Sequence, residues 1–128
     1  MPLLKWSSRA ALVLFWPALA YIVWGELTPS PPAWTSLFWD KALHFTAYFG
    51  LAAMTTMILG PQRRTLWALL GLAVLGGLLE ILQGYTGRDP DIYDALANIC
   101  GIATGASAAL LLTMLLRNRT LVGAPAAE

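Results

Sequence analysis

Along this chain, long apolar stretches alternate with short clusters of turn-forming and charged residues. Four stretches stand out, over about 10–24, 41–59, 65–83 and 92–116, near the roughly 20 apolar residues that cross a bilayer as a helix. The breaks between them have turn chemistry. Pro29, Pro31 and Pro32 fall in the first connection, and Gly60-Pro61-Gln62-Arg63-Arg64 makes a second so tight that it joins only antiparallel neighbours. Gly84-Tyr85-Thr86-Gly87-Arg88-Asp89-Pro90 forms the third, where Asp89 reads as an N-cap and Pro90 as a first-turn proline starting the fourth helix. The pattern predicts an all-α, four-transmembrane-helix bundle forming one domain over 1–128.

Composition agrees with a chain dissolved in lipid. Of the 128 residues 58% are hydrophobic and 12% charged, against about one-quarter charged in a soluble globule. Mean hydropathy is +0.63. No run of Lys and Arg is interleaved with aromatic platforms, so nucleic-acid binding is set aside. Cys100 has no second cysteine to pair with and is expected to act as a small core residue.

Charge placement orients the bundle. Lys5, Arg9, Arg63, Arg64, Arg117 and Arg119 fall at one set of span ends, and only Lys41 and Arg88 at the other. Basic residues at span ends stay cytoplasmic, so both termini are expected inside and the first and third loops outside. Trp6 and Trp67 would mark the inner boundary, and Trp24, Trp34, Trp39, Tyr85 and Tyr93 the outer one, while Trp16 fits neither belt and is expected to face lipid or a neighbouring helix. Lys5, Arg9 and Ala18-Leu19-Ala20 also have the layout of a cleavable signal peptide. The apolar run continues through Tyr21-Ile22-Val23-Trp24, which favours a retained anchor. No internal repeat supports an inverted-repeat transporter, and residues 122–128 are expected to fray.

Against this background the polar residues between Asp40 and Asn98 are conspicuous. They read Asp40-Lys41-x-x-His44, with Tyr48 one turn deeper, then Glu80-x-x-Gln83, then Arg88-x-x-Asp91-x-x-Asp94-x-x-x-Asn98. Ionisable groups at membrane depth cost roughly 2.5–3.5 kcal/mol each, so a chain that keeps several has a use for them. The antiparallel order brings all of them to the same end of the bundle, as a funnel reaching about 10 Å from Asp91 to Asn98. On the fourth helix Gly101 and Gly105 continue the polar stripe downward, and Gly76-Gly77 and Ala73 do the same on the third; such small residues let helices approach closely.

Each residue also has a bland reading. Asp40 serves as an N-cap, Lys41 snorkels to headgroups, Asp91 is a first-turn acid, and Gln83 and Asn98 are interhelical hydrogen-bond glue. His44 alone is a hydrogen-bonded core histidine whose i, i+4 acid Asp40 fixes its tautomer. Glu80 resists such a reading, because a helix C-terminus disfavours an anion. It needs Arg88, Lys41 or His44 as a partner, or a proton.

The ordered set Asp40-Lys41-x-x-His44-Phe45-x-x-Tyr48, Gly77-x-x-Glu80-x-x-Gln83 and Arg88-x-x-Asp91-x-x-Asp94-x-x-x-Asn98-x-x-Gly101-x-x-x-Gly105 resembles the VanZ-like family of small bacterial membrane proteins, over about 40–112. Asp89 beside Arg88 and the generic first helix depart from the family pattern. The resemblance implies residence in the bacterial cytoplasmic membrane and work at the cell envelope. The founding member is associated with low-level teicoplanin resistance, and the family carries no settled reaction.

Three function classes follow. In the first, the site binds or remodels an envelope lipid or glycan headgroup. Asp40, Glu80, Asp91 and Asp94 supply acid/base or hydroxyl-binding groups, Lys41, His44 and Arg88 hold an anionic group, and Tyr48, Gln83 and Asn98 line the site. Should it catalyse, Glu80 is the candidate acid and His44 the candidate base, with Asp94 beside them. In the second, carboxylates and one histidine hold a divalent metal. No His-x-x-x-His or Glu-x-x-His pair is present and two cations sit nearby, so no metal and no cofactor is assigned. In the third, the polar groups only join helices in a structural or assembly subunit. Transport lacks a polar path below Asn98. The oligomeric state is not specified by the sequence.

Overall fold

The computed structural model describes residues 2–30, 35 and 39–122, with side chains described over 6–30, 35 and 39–117. Trp34, the side chains of Lys5 and Arg119, and the tail after Val122 lie outside the described residues. The helices are α1 (Pro2–Leu27), α2 (Asp40–Leu59), α3 (Arg63–Thr86) and α4 (Ile92–Val122), and no strand occurs among the described residues. All four are long and apolar enough to cross a membrane.

Every helix outruns its expected stretch at one end or both. The apolar runs set the expected bounds, whereas a helix continues until a residue breaks the backbone pattern. Gly60 and Gly87 are those residues for α2 and α3. Both hold positive φ, 74° and 85°, and their N–H groups donate back to Thr56 O and Gln83 O. The Thr65 hydroxyl donates to the Gly60 carbonyl and locks the tight α2–α3 connection. α4 begins at Ile92, as the apolar stretch predicts, but its cap differs from the one expected. Asp91, not Asp89, caps it, with Oδ1 accepting the Tyr93 N–H at 2.9 Å. Asp40 is the first residue of α2, and Trp39 holds the cap position without a side-chain bond.

Packing is inverted relative to a soluble protein, as a lipid-facing surface requires. Trp6, Trp16, Trp24, Trp39 and Trp67 are exposed, with Trp16 65% accessible, while His44, Glu80, Gln83, Asp94 and Asn98 are buried. α2 is the hub. It lies closest to α4, and α1 packs mainly on α2. The α2–α4 seam follows from glycine. A Cβ on Gly101 or Gly105 would strike the backbone carbonyl of Phe45 or Phe49, so only a bare Cα lets the helices approach this far. Gly76 gives the same clearance on α3, beneath the Asn98 amide and the Tyr48 ring, whereas Gly77 has open space and is not a packing residue. The apolar core sits below, around Tyr48, Leu51, Ala52, Leu72, Ile102 and Ala106. Cys100 was expected in the core but is exposed on α4, because the buried stripe of that helix passes through Asn98, Gly101 and Ile102 instead.

Candidate functional site

The end of the bundle formed by the α1–α2 and α3–α4 connections gathers all ten residues singled out from the sequence, and one more. They form three tiers. At the rim, Lys41 Nζ donates to Asp91 Oδ2 at 2.6 Å and to Asp94 Oδ1 at 3.0 Å, tying α2 to the start of α4. Arg88 reaches across to α1, where Nη1 donates to the carbonyls of Gly25 and Glu26 at 3.3 Å each, and Nη2 lies 3.7 Å from Asp40 Oδ1. A cation on the last carbonyls of a helix satisfies acceptors that have no partner within the helix. Both basic side chains expected to grip an anionic ligand are thus engaged by the protein itself.

The middle tier surrounds His44. Its Nδ1 lies 3.5 Å from Glu80 Oε1 and 3.7 Å from Glu26 Oε1, and its Nε2 lies 4.0 Å from Asp40 Oδ1. Of the three partners considered for Glu80, His44 is the one found. Glu80 Oε2 also accepts the Asp91 N–H at 3.4 Å, joining the end of α3 to the start of α4. The expected Asp40–His44 hydrogen bond is absent, since 4.0 Å exceeds its reach.

The deepest tier is Tyr48, Gln83 and Asn98, each at most 1% exposed. The Tyr48 hydroxyl lies near Glu26 but outside hydrogen-bond geometry. Among the described residues, both Glu26 carboxylate oxygens, His44 Nδ1, Tyr48 Oη, Glu80 Oε1, Gln83 Nε2 and both Asn98 amide atoms are buried with no hydrogen-bond partner. A buried group left so costs about 1–3 kcal/mol, more when charged. Native interiors hold few such groups, so their concentration here singles out this end of the bundle as the candidate site.

Glu26 is the residue that sequence reading missed. The first apolar stretch was ended at Trp24, which left Glu26 outside any helix. A signal was available, because an acid just before Pro29 sits at a helix C-terminus, the same unfavourable position that singled out Glu80.

A groove of about 170 Å³ opens between α1 and α2 onto this tier. Tyr21, Ile22, Trp24, Leu43 and Ala47 make its apolar side, and Glu26, Asp40, His44 and Arg88 its polar end. Asp40, His44 and Asp94 also bring one ligand atom each within 4.8 Å of one another, on the other side of the imidazole. Asp91 lies outside the spans, and the hydrogen bond from Lys41, followed by that from the Tyr93 N–H, holds its carboxyl below the usual aspartate range. Compared with known proteins, the chain matches no family model, no curated protein and no solved structure.

Proposed function

We propose that this chain is a VanZ-like integral protein of the bacterial cytoplasmic membrane whose polar site faces the extracytoplasmic side and binds or remodels the headgroup of an envelope lipid or glycan. The observation that carries this reading is the two-sided groove. A chain that stays in lipid alongside Tyr21 and Trp24 delivers its head to Glu26, His44 and Arg88. At about 170 Å³ the groove is smaller than the roughly 300–1,000 Å³ of pockets for drug-sized ligands, so it suits one headgroup or one sugar edge. The ordered polar motif supports the family, and the excess of Lys and Arg at the opposite span ends supports the orientation.

With Lys41 and Arg88 engaged by protein groups, recognition falls to the carboxylates and His44, and favours hydroxyl or ammonium groups over a bare phosphate. The test is native mass spectrometry of delipidated protein given phosphatidylethanolamine or phosphatidylglycerol. Phosphatidylethanolamine is expected to be retained preferentially, and Glu80→Gln or His44→Ala to lower that retention at least tenfold while the protein still inserts and accumulates. Equal retention of both lipids, unchanged by either substitution, overturns the reading. Loss of accumulation in step with loss of binding would instead assign these groups to helix assembly.

A further inference from the structure

We propose that Glu26, His44 Nδ1 and Glu80 form a three-ligand site for a divalent first-row cation of the zinc or manganese class. The three side chains come from α1, α2 and α3, and each is more than nine-tenths buried. Two carboxylates converge on one imidazole nitrogen inside a bundle whose outer surface is apolar. A proton on Nδ1 serves only one of them, and at hydrogen-bond length. The observed separations of 3.5 and 3.7 Å are too long for that.

The 3.5 Å separation is where two ligands of one ion stand, about 3.3–3.6 Å apart around a tetrahedral centre with ligands at about 2.0–2.2 Å, and the 3.7 Å one needs a small inward shift of Glu26. Nδ1, Glu80 Oε1 and both Glu26 oxygens are buried and have no hydrogen-bond partner, so none of them must give up a bond to become a ligand. One imidazole with two carboxylates is a donor set for borderline divalent ions. Asp40 stands on the far side of the ring, 4.0 Å from Nε2 and beyond hydrogen-bond reach, so it is not needed as a ligand. The groove leads to Glu26 and His44, which leaves the ion's remaining position open to a water or a ligand oxygen.

The competing trio, Asp40, His44 and Asp94, brings its ligand atoms within 4.8 Å of one another but is already matched by cations. Its carboxylates already face cations, Asp94 taking the Lys41 ammonium at 3.0 Å and Asp40 lying 3.7 Å from Arg88. Arg88 acts on Glu26 only at longer range, and no hydrogen bond or ion pair from Lys41 or Arg88 reaches the Glu26 and Glu80 oxygens turned toward His44. Among the described residues, that side of the ring is the one with no cation in contact.

The proposal shares Glu26, His44 and Glu80 with the headgroup reading but is tested separately from it, because metal content is read with no lipid added. Full-length protein in mild detergent is stripped with chelator, reloaded with Zn²⁺ or Mn²⁺ and desalted, and its metal is counted. One ion per chain is expected. Glu26→Gln and Glu80→Gln, checked for helicity and monodispersity, should each weaken binding at least about 100-fold, the upper end of what losing a mere supporting partner does. Asp89→Asn, an exposed loop acid, should bind as the wild type does. No ion at stoichiometry in the wild type overturns the proposal. So does binding that survives Glu26→Gln and is lost in Asp94→Asn. If the carboxylate variants do not accumulate, Co²⁺-loaded wild type decides: a visible spectrum altered from that of the hydrated ion by nitrogen and oxygen ligands supports the site, and one identical to the hydrated ion overturns it.

Discussion

Lys41 donates to two carboxylates of unequal exposure, and the inequality sets what each does. Asp94 is buried and has the ammonium as its charge partner, so replacing Lys41 strands an anion inside the bundle. Asp91 stands at the rim and doubles as the α4 cap, its carboxyl held below the ordinary range by Lys41 and the Tyr93 N–H. A depressed carboxyl adds stability that is complete above the ordinary aspartate value of about 4 and is lost as pH falls through the lowered one. Thermal unfolding in detergent should therefore hold steady from neutral pH down to about pH 4 and decline below it. Asp91→Asn should flatten that acid decline and lower the melting temperature at neutral pH, and Lys41→Met should lower it further. An acid limb unchanged in Asp91→Asn would remove Asp91 from this account. Which residues would be polar and inward was legible at this scale, because polar side chains in an apolar chain announce themselves. Which acid meets which base was not: the rim pairs and the His44 contacts are settled by rotation of helices that the sequence leaves free, and Arg88 turned to α1 and Asp40 instead of Glu80.

Helix spacing carried more information than helix length. Asn98, Gly101 and Gly105 fall along one stripe, and the stripe is the α2–α4 contact. Gly101→Ala and Gly105→Ala should each cost at least about 1–3 kcal/mol, the range for overpacking a tight interior, because the obstacle is the Phe45 or Phe49 backbone and cannot rotate away. Gly77→Ala should be neutral, since its Cβ would meet nothing. Detergent unfolding of the three variants measures the contrast, and an equal loss in all three would show that the seam is not what glycine maintains. Helix ends were poorly legible. The positive-φ stops at Gly60 and Gly87 matched turn chemistry in the sequence, and Pro29 follows the end of α1 in the same way, but there the apolar count fell short by the turn that contains Glu26.

For the molecule as a whole, the four-helix architecture was legible because lipid allows few alternatives to helices that satisfy their own backbones. The meeting of separated segments at one end followed from the antiparallel order. Membrane orientation rests on the charge asymmetry and has a direct test. In a Cys100→Ala background, Asp89→Cys should react with an impermeant maleimide in intact cells, and Gln62→Cys only after permeabilisation. The reverse labelling would turn the site toward the cytoplasm.

The helix that supplies Glu26 is also the one most loosely joined to the rest. α2 and α4 are sealed along their glycine seam and clamped by Lys41, while α1 leans mainly on α2 and is fastened near its ends by the Ser8 hydroxyl on Met57 O and by Arg88 on its last carbonyls. Swinging α1 aside would leave the other three helices intact yet strip the proposed coordination shell to two donors. Capture and release of the ion would then be hinged to the motion of a single flank, with no need to unfold anything else.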